Sequence, residues 1–309
     1  MSIVKTDVPM TSELCNDTID ALLETYPLFR SEILTTTAFG RPVRTLVIGN
    51  GDRKVLYSAS HHANEWITTP VLLKFAEDLA RAVTEGGTLY GVKAENIMNA
   101  ATIYLVPMVD PDGVDLVTGA IPLGTPEYET ARRFSDNYPD IPFPEGWKAN
   151  LLGVDLNLQY PAGWLQAREI KFSQGYTRPG PRDYVGRAPL NQRESLALAR
   201  YTEAIDPALV LAYHTQGKVI YWQFQDYEVP GARELAEEFA RLSGYALEDV
   251  PFESSFAGYK DWFIQNFRRP GFTVEVGSGE SPLPLSQFDE IYRDNLGILV
   301  TAALGLPET

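Results

Sequence analysis

Ala208, Leu209, Val210, Leu211, Ala212 and Tyr213 form an unbroken apolar run that ends in a histidine, His214. A strand with one face in water alternates apolar and polar residues. A strand that is apolar throughout is covered on both faces, as in parallel sheets flanked by helices. Other β-rich runs share the chain with it. Residues 102–109 read as a buried strand ending in a turn at Asp110-Pro111-Asp112-Gly113, residues 219–224 as another, and residues 271–277 as a third with a charge, Glu275, in its middle. The runs 45–48 and 54–57 are split by Gly49-Asn50-Gly51-Asp52, a hairpin signal. Helical patterns lie between the strands. They cover residues 11–32, with Leu14, Ile19, Leu22, Leu23 and Tyr26, then Ile67, Val71, Leu72, Phe75 and Leu79 up to the Gly86-Gly87 break. A further helix opens near Asn191, with Glu194 completing a capping box, and the stretches 230–243, 257–267 and 286–304 are also helical. Strands alternating with helices predict one α/β domain over residues 1–309, its sheet mixed or mostly parallel. After Gly113 no period is visible up to about Asn150, and this stretch reads as a long surface excursion of the kind that carries function.

Polar chemistry collects at the ends of the apolar runs. His61 and His62 follow Val55-Leu56-Tyr57 and are two of only three histidines in the chain. In His62-x-x-Glu65, an imidazole and a carboxylate can converge on one point if the pair sits on a strand-to-helix turn. Zinc accepts both donor types, and a catalytic zinc takes three protein ligands and keeps one position open. His214 supplies the third donor. The plainer readings are a first-turn carboxylate for Glu65, with Asn64 as N-cap, and a satisfied core histidine for His214. His61-x-x-Asn64 lacks a carboxylate, so His61 reads as a structural neighbour.

A carboxylate inside an apolar strand costs several kcal/mol unless it is paired. Glu275 therefore reads either as the partner of Lys260, Arg268 or Arg269, or as a general base at the C-terminal end of a strand, where α/β sheets present their sites. With a candidate ligand set in the same chain, the base is the preferred reading. The net charge of -15 and pI near 4.7 argue against nucleic acid and anionic membrane surfaces as partners. Cys15 stands alone, so the fold does not depend on an oxidising compartment. The first residues lack the apolar core of a leader, and no run approaches the roughly 18 residues of a membrane span. The expected location is cytoplasmic.

His62-x-x-Glu65, Gly153-Val154-Asp155-Leu156-Asn157, His214, Asp261-Trp262 and Thr273-Val274-Glu275 occur in the order found in zinc carboxypeptidases of the A/B type, and the chain resembles that family over roughly residues 40–300. Within the family it looks most like bacterial peptidases that cut γ-D-glutamyl-meso-diaminopimelate bonds in cell-wall peptides. That likeness rests on Trp147-Lys148-Ala149-Asn150, on His214-Thr215-Gln216-Gly217 with Tyr221-Trp222, on Gly258-Tyr259-Lys260-Asp261-Trp262-Phe263 and on Arg269-Pro270-Gly271-Phe272-Thr273. The resemblance implies a three-layer α/β/α sandwich with a mixed, mostly parallel eight-stranded sheet, one zinc per chain, and water-promoted hydrolysis of a small muropeptide. It implies His62, Glu65 and His214 as zinc ligands, with Glu275 as base and proton shuttle. Lys148 falls where many relatives carry the arginine that polarises the scissile carbonyl, although a solvated loop lysine is the plainer reading. Asn157 resembles the residue that helps to hold a terminal carboxylate. Some such relatives carry wall-binding modules and are secreted, while others stay inside, and the length here leaves no room for a module.

The departures bear on substrate. Carboxypeptidases usually show Asn-Arg where this chain has Asn157-Leu158, and leucine cannot pair a carboxylate. The diaminopimelate-type relatives tend to a polar residue there, so Leu158 departs from them too. Glu253 takes the place of the tyrosine that closes over substrate, which leaves Tyr259 either as a cover or as an exposed loop tyrosine. A zwitterionic diaminopimelate needs donors and acceptors, for which Gln159, Gln216 and Arg187 are candidates. The alternatives are a carboxypeptidase or acyl-amino-acid amidase on other substrates and, from another class, a catalytically silent peptide-binding module. Retention of all three ligands together with Glu275 argues against the last. Nothing in the sequence marks an oligomeric state.

Overall fold

The computed structural model describes residues 2–306. Helix α1 (Ser12–Thr25) is capped by the Thr11 hydroxyl, which accepts from the Leu14 N–H, and it buries Cys15, Ile19 and Leu22. A two-strand ribbon follows, β1 (Ile33–Thr36) with β2 (Pro42–Arg44). Then come β3 (Leu46–Gly49), β4 (Arg53–Ala59), α2 (Thr68–Thr84), a second ribbon of β5 (Thr88–Leu89) and β6 (Val92–Lys93), α3 (Ala94–Ala100) and β7 (Ala101–Val106). Helices α4 (Pro111–Val117), α5 (Pro126–Ser135) and α6 (Trp164–Ser173) precede α7 (Arg193–Ile205). The rest of the chain forms β8 (Leu209–Thr215), β9 (Val219–Tyr221), α8 (Ala232–Ser243), β10 (Ala246–Leu247), α9 (Tyr259–Phe267), β11 (Gly271–Val276) and α10 (Phe288–Leu304).

Seven strands make the central sheet, in the order β10-β9-β11-β8-β4-β7-β3. Strands β11, β8, β4 and β7 run parallel, β3 pairs antiparallel with β7 at one edge, and β9 pairs antiparallel with β11 near the other. The apolar run at 208–213 has its reason here. Leu209, Leu211 and Tyr213 face a layer containing Leu72, Phe75, Phe239 and Leu299, from α2, α8 and α10. Val210 and Ala212 face the opposite layer, with Leu198, Trp262 and Phe263 from α7 and α9. Both parities of the strand are buried, so every position is apolar, and the result is the α/β/α sandwich. Chain direction across the sheet diverges between β4, which leads to β7, and β8, which leads toward β11. The C-terminal ends of β4 and β8 therefore open on the crevice where such sheets bind ligands.

Several details differ from expectation. The sheet has seven strands among the described residues, not eight. Next to β3 the chain makes only an isolated antiparallel bridge, Arg30 with Val47, before β1 peels away to pair with β2. The Gly49–Asp52 segment is no hairpin, because β7 lies between β3 and β4. Its glycines serve close approach instead: a Cβ on Gly49 or Gly51 would collide with the backbone of Ala100 and Ala101, and Gly49 has φ +91°. Asp110-Pro111-Asp112-Gly113 starts α4 rather than making a free turn, with the Asp110 carboxylate accepting from the Gly113 N–H at 3.0 Å. Glu194 makes no capping box. Helix α7 has no side-chain cap, and the N–H groups of Asn191 and Gln192 donate instead to Gln159 Oε1 at 2.9 and 3.2 Å. The excursion after Gly113 is not all surface, since it holds α5 and a buried cluster of Leu116, Ile121, Ala131, Trp147, Ala149 and Leu151. No helix among the described residues is long and apolar enough to cross a membrane.

Candidate metal centre

The end of β4 turns sharply into α2. The Ser60 N–H donates to Thr68 Oγ1 at 3.0 Å, the Thr69 hydroxyl donates to the Pro107 carbonyl at 2.6 Å, and the Ala63 N–H donates to the Lys148 carbonyl at 3.1 Å. Between these ties, Ala63–Glu65 form a short 3-10 turn that follows the extended backbone of His62. His62 and Glu65 are thus held on one side of the turn. His214 comes from the neighbouring β8, and the β8–β11 register sets Glu275 directly beside it.

Three donor atoms converge. His62 Nδ1 lies 3.0 Å from Glu65 Oε1, while His214 Nδ1 lies 2.9 Å from Glu65 Oε2 and 3.2 Å from His62 Nδ1. One ligand atom from each residue falls within 4.8 Å of the others. Two imidazole nitrogens and a carboxylate suit zinc, and the three residues line a cavity of about 250 Å³. The surroundings hold these groups in place. His62 Nε2 meets Asp155 Oδ1 at 3.1 Å, which leaves Nδ1 to face the other donors. Glu65 accepts from the Thr215 N–H at 3.1 Å and from Lys148 Nζ at 2.7 Å.

The electrostatics follow from burial set against these partners. Burial alone would raise the Glu65 carboxyl, but Lys148 and His62 hold it well below the usual carboxylate range. Burial would lower His62, but Glu65 and Asp155 draw it up to about 9. Burial, then the Glu65 carboxylate, push Glu275 up to about 8 against the pull of Lys148 and His62. The three proposed salt-bridge partners of Glu275 are engaged elsewhere. Lys260 pairs with Asp261, Arg269 with Asp206 at 2.7 Å, and the Arg268 guanidinium lies 3.8 Å over the Tyr227 ring. Glu275 instead opens on the same cavity as the donors.

The other sequence candidates divide. Lys148 is no solvated loop residue, since its ammonium is bound to Glu65 beside the donors. Asn157 and Leu158 line the cavity, with Asn157 Oδ1 accepting from the Tyr259 N–H at 3.0 Å. Gln159 does not line it: its side chain is fully buried, donating to the Val185 carbonyl and accepting from residues 191 and 192. Gln216 is exposed and lines a second cavity, and Arg187 is exposed. Tyr259 is neither a lid nor an exposed loop residue. It is fully buried, its hydroxyl shares a 2.8 Å hydrogen bond with Thr202, and its ring lies 5.5 Å from that of His61. Glu253 is exposed, and Val250, Pro251 and Ser254 form that part of the rim. His61 is buried and packs its ring on His214 at 5.5 Å, as a structural neighbour would.

Three features went unread in the sequence. Asp155 orients His62, and its only prior sign was its place in the Gly153–Asn157 motif. Lys171, Arg182 and Asp183 form a charged group on the cavity wall, and the buried pair Lys260–Asp261 lines the cavity as well.

A family profile described as zinc carboxypeptidase matches residues 15–297. The chain is 45% identical over 289 residues to gamma-D-glutamyl-L-diamino acid endopeptidase 1 of Lysinibacillus sphaericus, across 94% of this chain and 70% of that protein. Among solved structures it is similar to thrombin activatable fibrinolysis inhibitor, with a TM-score of 0.76 at 16% identity over 98% of this chain and 76% of that one. It is also similar to the murein-tripeptide amidase MpaA of Escherichia coli O157, with a TM-score of 0.54 at 18% identity over 90% of this chain and 93% of that one.

Proposed function

The chain belongs to the zinc carboxypeptidase family of metallopeptidases, and from that premise we propose that it hydrolyses the γ-D-glutamyl-meso-diaminopimelate bond of cell-wall-derived peptides. The 45% identity to an enzyme named for a γ-D-glutamyl-diamino acid bond supports the substrate class. One observation in the cavity carries the reading further. Leu158, which cannot pair a terminal carboxylate, forms the wall beside Asn157, and the buried ion pair Lys260–Asp261 lines the same cavity. A diamino acid leaving group, with an ammonium and a carboxylate at its far end, carries both charges that could exchange into such a pair.

His62, Glu65 and His214 would hold one zinc, which supplies a Lewis acid and lowers the pKa of a water to about 7. Asp155 keeps the His62 ring turned with Nδ1 inward. Lys148 places a fixed positive charge where the scissile carbonyl oxygen gains negative charge. Glu275 takes the proton of the attacking water and hands it to the leaving amine. Cys15 is buried and unpaired, so the fold does not depend on an oxidising compartment.

The test is hydrolysis of L-Ala-γ-D-Glu-meso-diaminopimelate by zinc-loaded protein, alongside hippuryl-Phe and hippuryl-Arg, with Glu275→Gln as control. Release of diaminopimelate that is absent in the variant supports the reading. Cleavage of the hippuryl compounds alone keeps the chemistry and replaces the substrate with that of a carboxypeptidase or acyl-amino-acid amidase. Zinc binding without turnover of any of the three overturns this substrate and moves the search to other amides or to a peptide-binding role.

A further inference from the structure

Two cavities meet at Lys148 and Arg182. One, of about 250 Å³, holds the metal donors and Glu275, and the other, of about 670 Å³, extends past Asn64 and Gln216. On the reading above, the first cavity, walled by Asn157 and Leu158, takes the leaving amine, which puts the second on the acyl side of the bond to be cut. The charged residues along the acyl side, apart from the two at the junction, are carboxylates: Asp140, Glu145 and Glu280. Lys148 is already bound to Glu65. Arg182 is left as the cation that an acyl-side anion would meet.

Its placement is built rather than accidental. The Lys148 and Ala149 N–H groups both donate to the Pro181 carbonyl, at 2.7 and 2.9 Å, which ties the backbone next to Arg182 to the backbone of Lys148. Asp183 holds Arg182 Nε at 2.7 Å and the buried Lys171 ammonium at 2.7 Å, and its own N–H donates to Asp155. One carboxylate thus serves two cations, and a positive charge remains in surplus on this wall. With Nε engaged, the edge bearing both terminal nitrogens has no partner among the described residues. The side chain is 41% exposed, and it lines both cavities. A guanidinium held by Nε presents a two-pronged edge that fits a carboxylate.

We propose that Arg182 is a specificity-determining residue whose terminal guanidinium edge binds the free α-carboxylate of the γ-linked glutamyl residue on the acyl side. The inference rests on the substrate reading above. In a γ-glutamyl amide the free carboxylate stands three carbons from the scissile carbonyl carbon, about 5 Å when extended. Lys148 and Arg182 line both cavities, so a carbonyl beside the first has the second on the same wall. A peptide with a neutral residue at this position presents no charge there, and neither does the α-amide of the same glutamyl residue.

Steady-state kinetics of the zinc-loaded chain on L-Ala-γ-D-Glu-meso-diaminopimelate and on its glutamyl α-amide test the inference. The wild type is expected to prefer the acid by about 10- to 100-fold in kcat/KM, the range of one charge-assisted hydrogen-bond pair. Arg182→Gln is expected to lose that preference by slowing on the acid alone, mostly through KM. Arg182→Lys should keep part of the preference, and it carries the same test should Arg182→Gln not fold. Equal rates on acid and amide in the wild type, or an undiminished preference in both variants, overturn the role of Arg182 while leaving the substrate reading intact. Failure of the wild type on both compounds removes the substrate reading and this inference with it.

Discussion

Glu275 and Glu194 are both buried glutamates, pushed up to about 8 and about 7, but they face different surroundings. Glu275 ends a strand, stands in register with His214 and opens on the cavity that holds the donors. Glu194 lies in the first turn of α7, 2% exposed, where burial and then Asp112 raise it against hydrogen bonds from its own backbone and from Asn150. A raised pKa therefore reports burial in both places, and function is decided by what the carboxyl can reach. The sharpest way to break the comparison is to neutralise each. Glu275→Gln is expected to lower kcat by about 10³- to 10⁴-fold, the upper part of the range for a general base, with the zinc content unchanged by metal analysis. An active Glu275→Gln variant would put the base elsewhere and make the two glutamates equivalent.

Lys148 sharpens the contrast from the other side of the cavity. It belongs to the excursion rather than the sheet, yet its charge stands against Glu65. Lys148→Met is expected to lower kcat by about 10²- to 10³-fold, as does loss of one oxyanion donor elsewhere, while Lys148→Arg keeps most of the rate. A loss confined to KM would instead place Lys148 in ground-state binding.

The matching change at the second glutamate should act on stability alone. The folded chain keeps the Glu194 proton up to about 7, whereas the unfolded chain loses it near the ordinary 4.5. The folded state then binds more protons across that window, so stability falls as pH rises from about 4.5 to 7 and levels off above. Glu194→Gln escapes this loss. Its advantage over the wild type in urea unfolding should grow from near zero at pH 4.5 to on the order of 3 kcal/mol at pH 7.5, with kcat unchanged. A pH-independent difference between the two proteins would show that Glu194 is ionised in the folded state.

The same division marks what the sequence reveals. The sheet face of the site was legible because its residues are scarce types at the ends of apolar runs: His62 and Glu65 after β4, His214 at the end of β8 and Glu275 in β11. Strand register then did the rest, since parallel neighbours bring equivalent ends together. The contacts made from the excursion and the segment after it were not legible, because they are long-range and follow no period. Asp155 reaches His62 across 93 positions of chain, and Lys148 reaches Glu65 across 83. Gln159 was misread for a related reason. It follows Leu156–Leu158, a 3-10 turn, which rotates successive side chains by about 120°, so Asn157 faces the cavity while Gln159 faces the start of α7. An eighth strand beside β3 depended on whether the chain at Arg30 stays with it or leaves it, and no residue there announces the choice.

Asp155 is where the two regions join, and its effect should be the smallest of these. It holds His62 by one oxygen and accepts from the Asp183 N–H with the other, so the sheet face and the charged wall share it. His62 and Lys148 keep it ionised against the cost of burial. Asp155→Asn preserves the shape and a hydrogen bond to the ring but removes the charge that favours the correct ring orientation and makes Nδ1 a stronger donor. Loss of such a partner typically weakens zinc binding by about 10- to 100-fold. Competition with a chromophoric chelator would measure that loss. With zinc saturating, kcat should fall by less than about tenfold, because Glu275 and Lys148 remain in place. The opposite pattern, with unchanged zinc affinity and a collapsed kcat, would make Asp155 part of the reaction rather than part of the support for the metal.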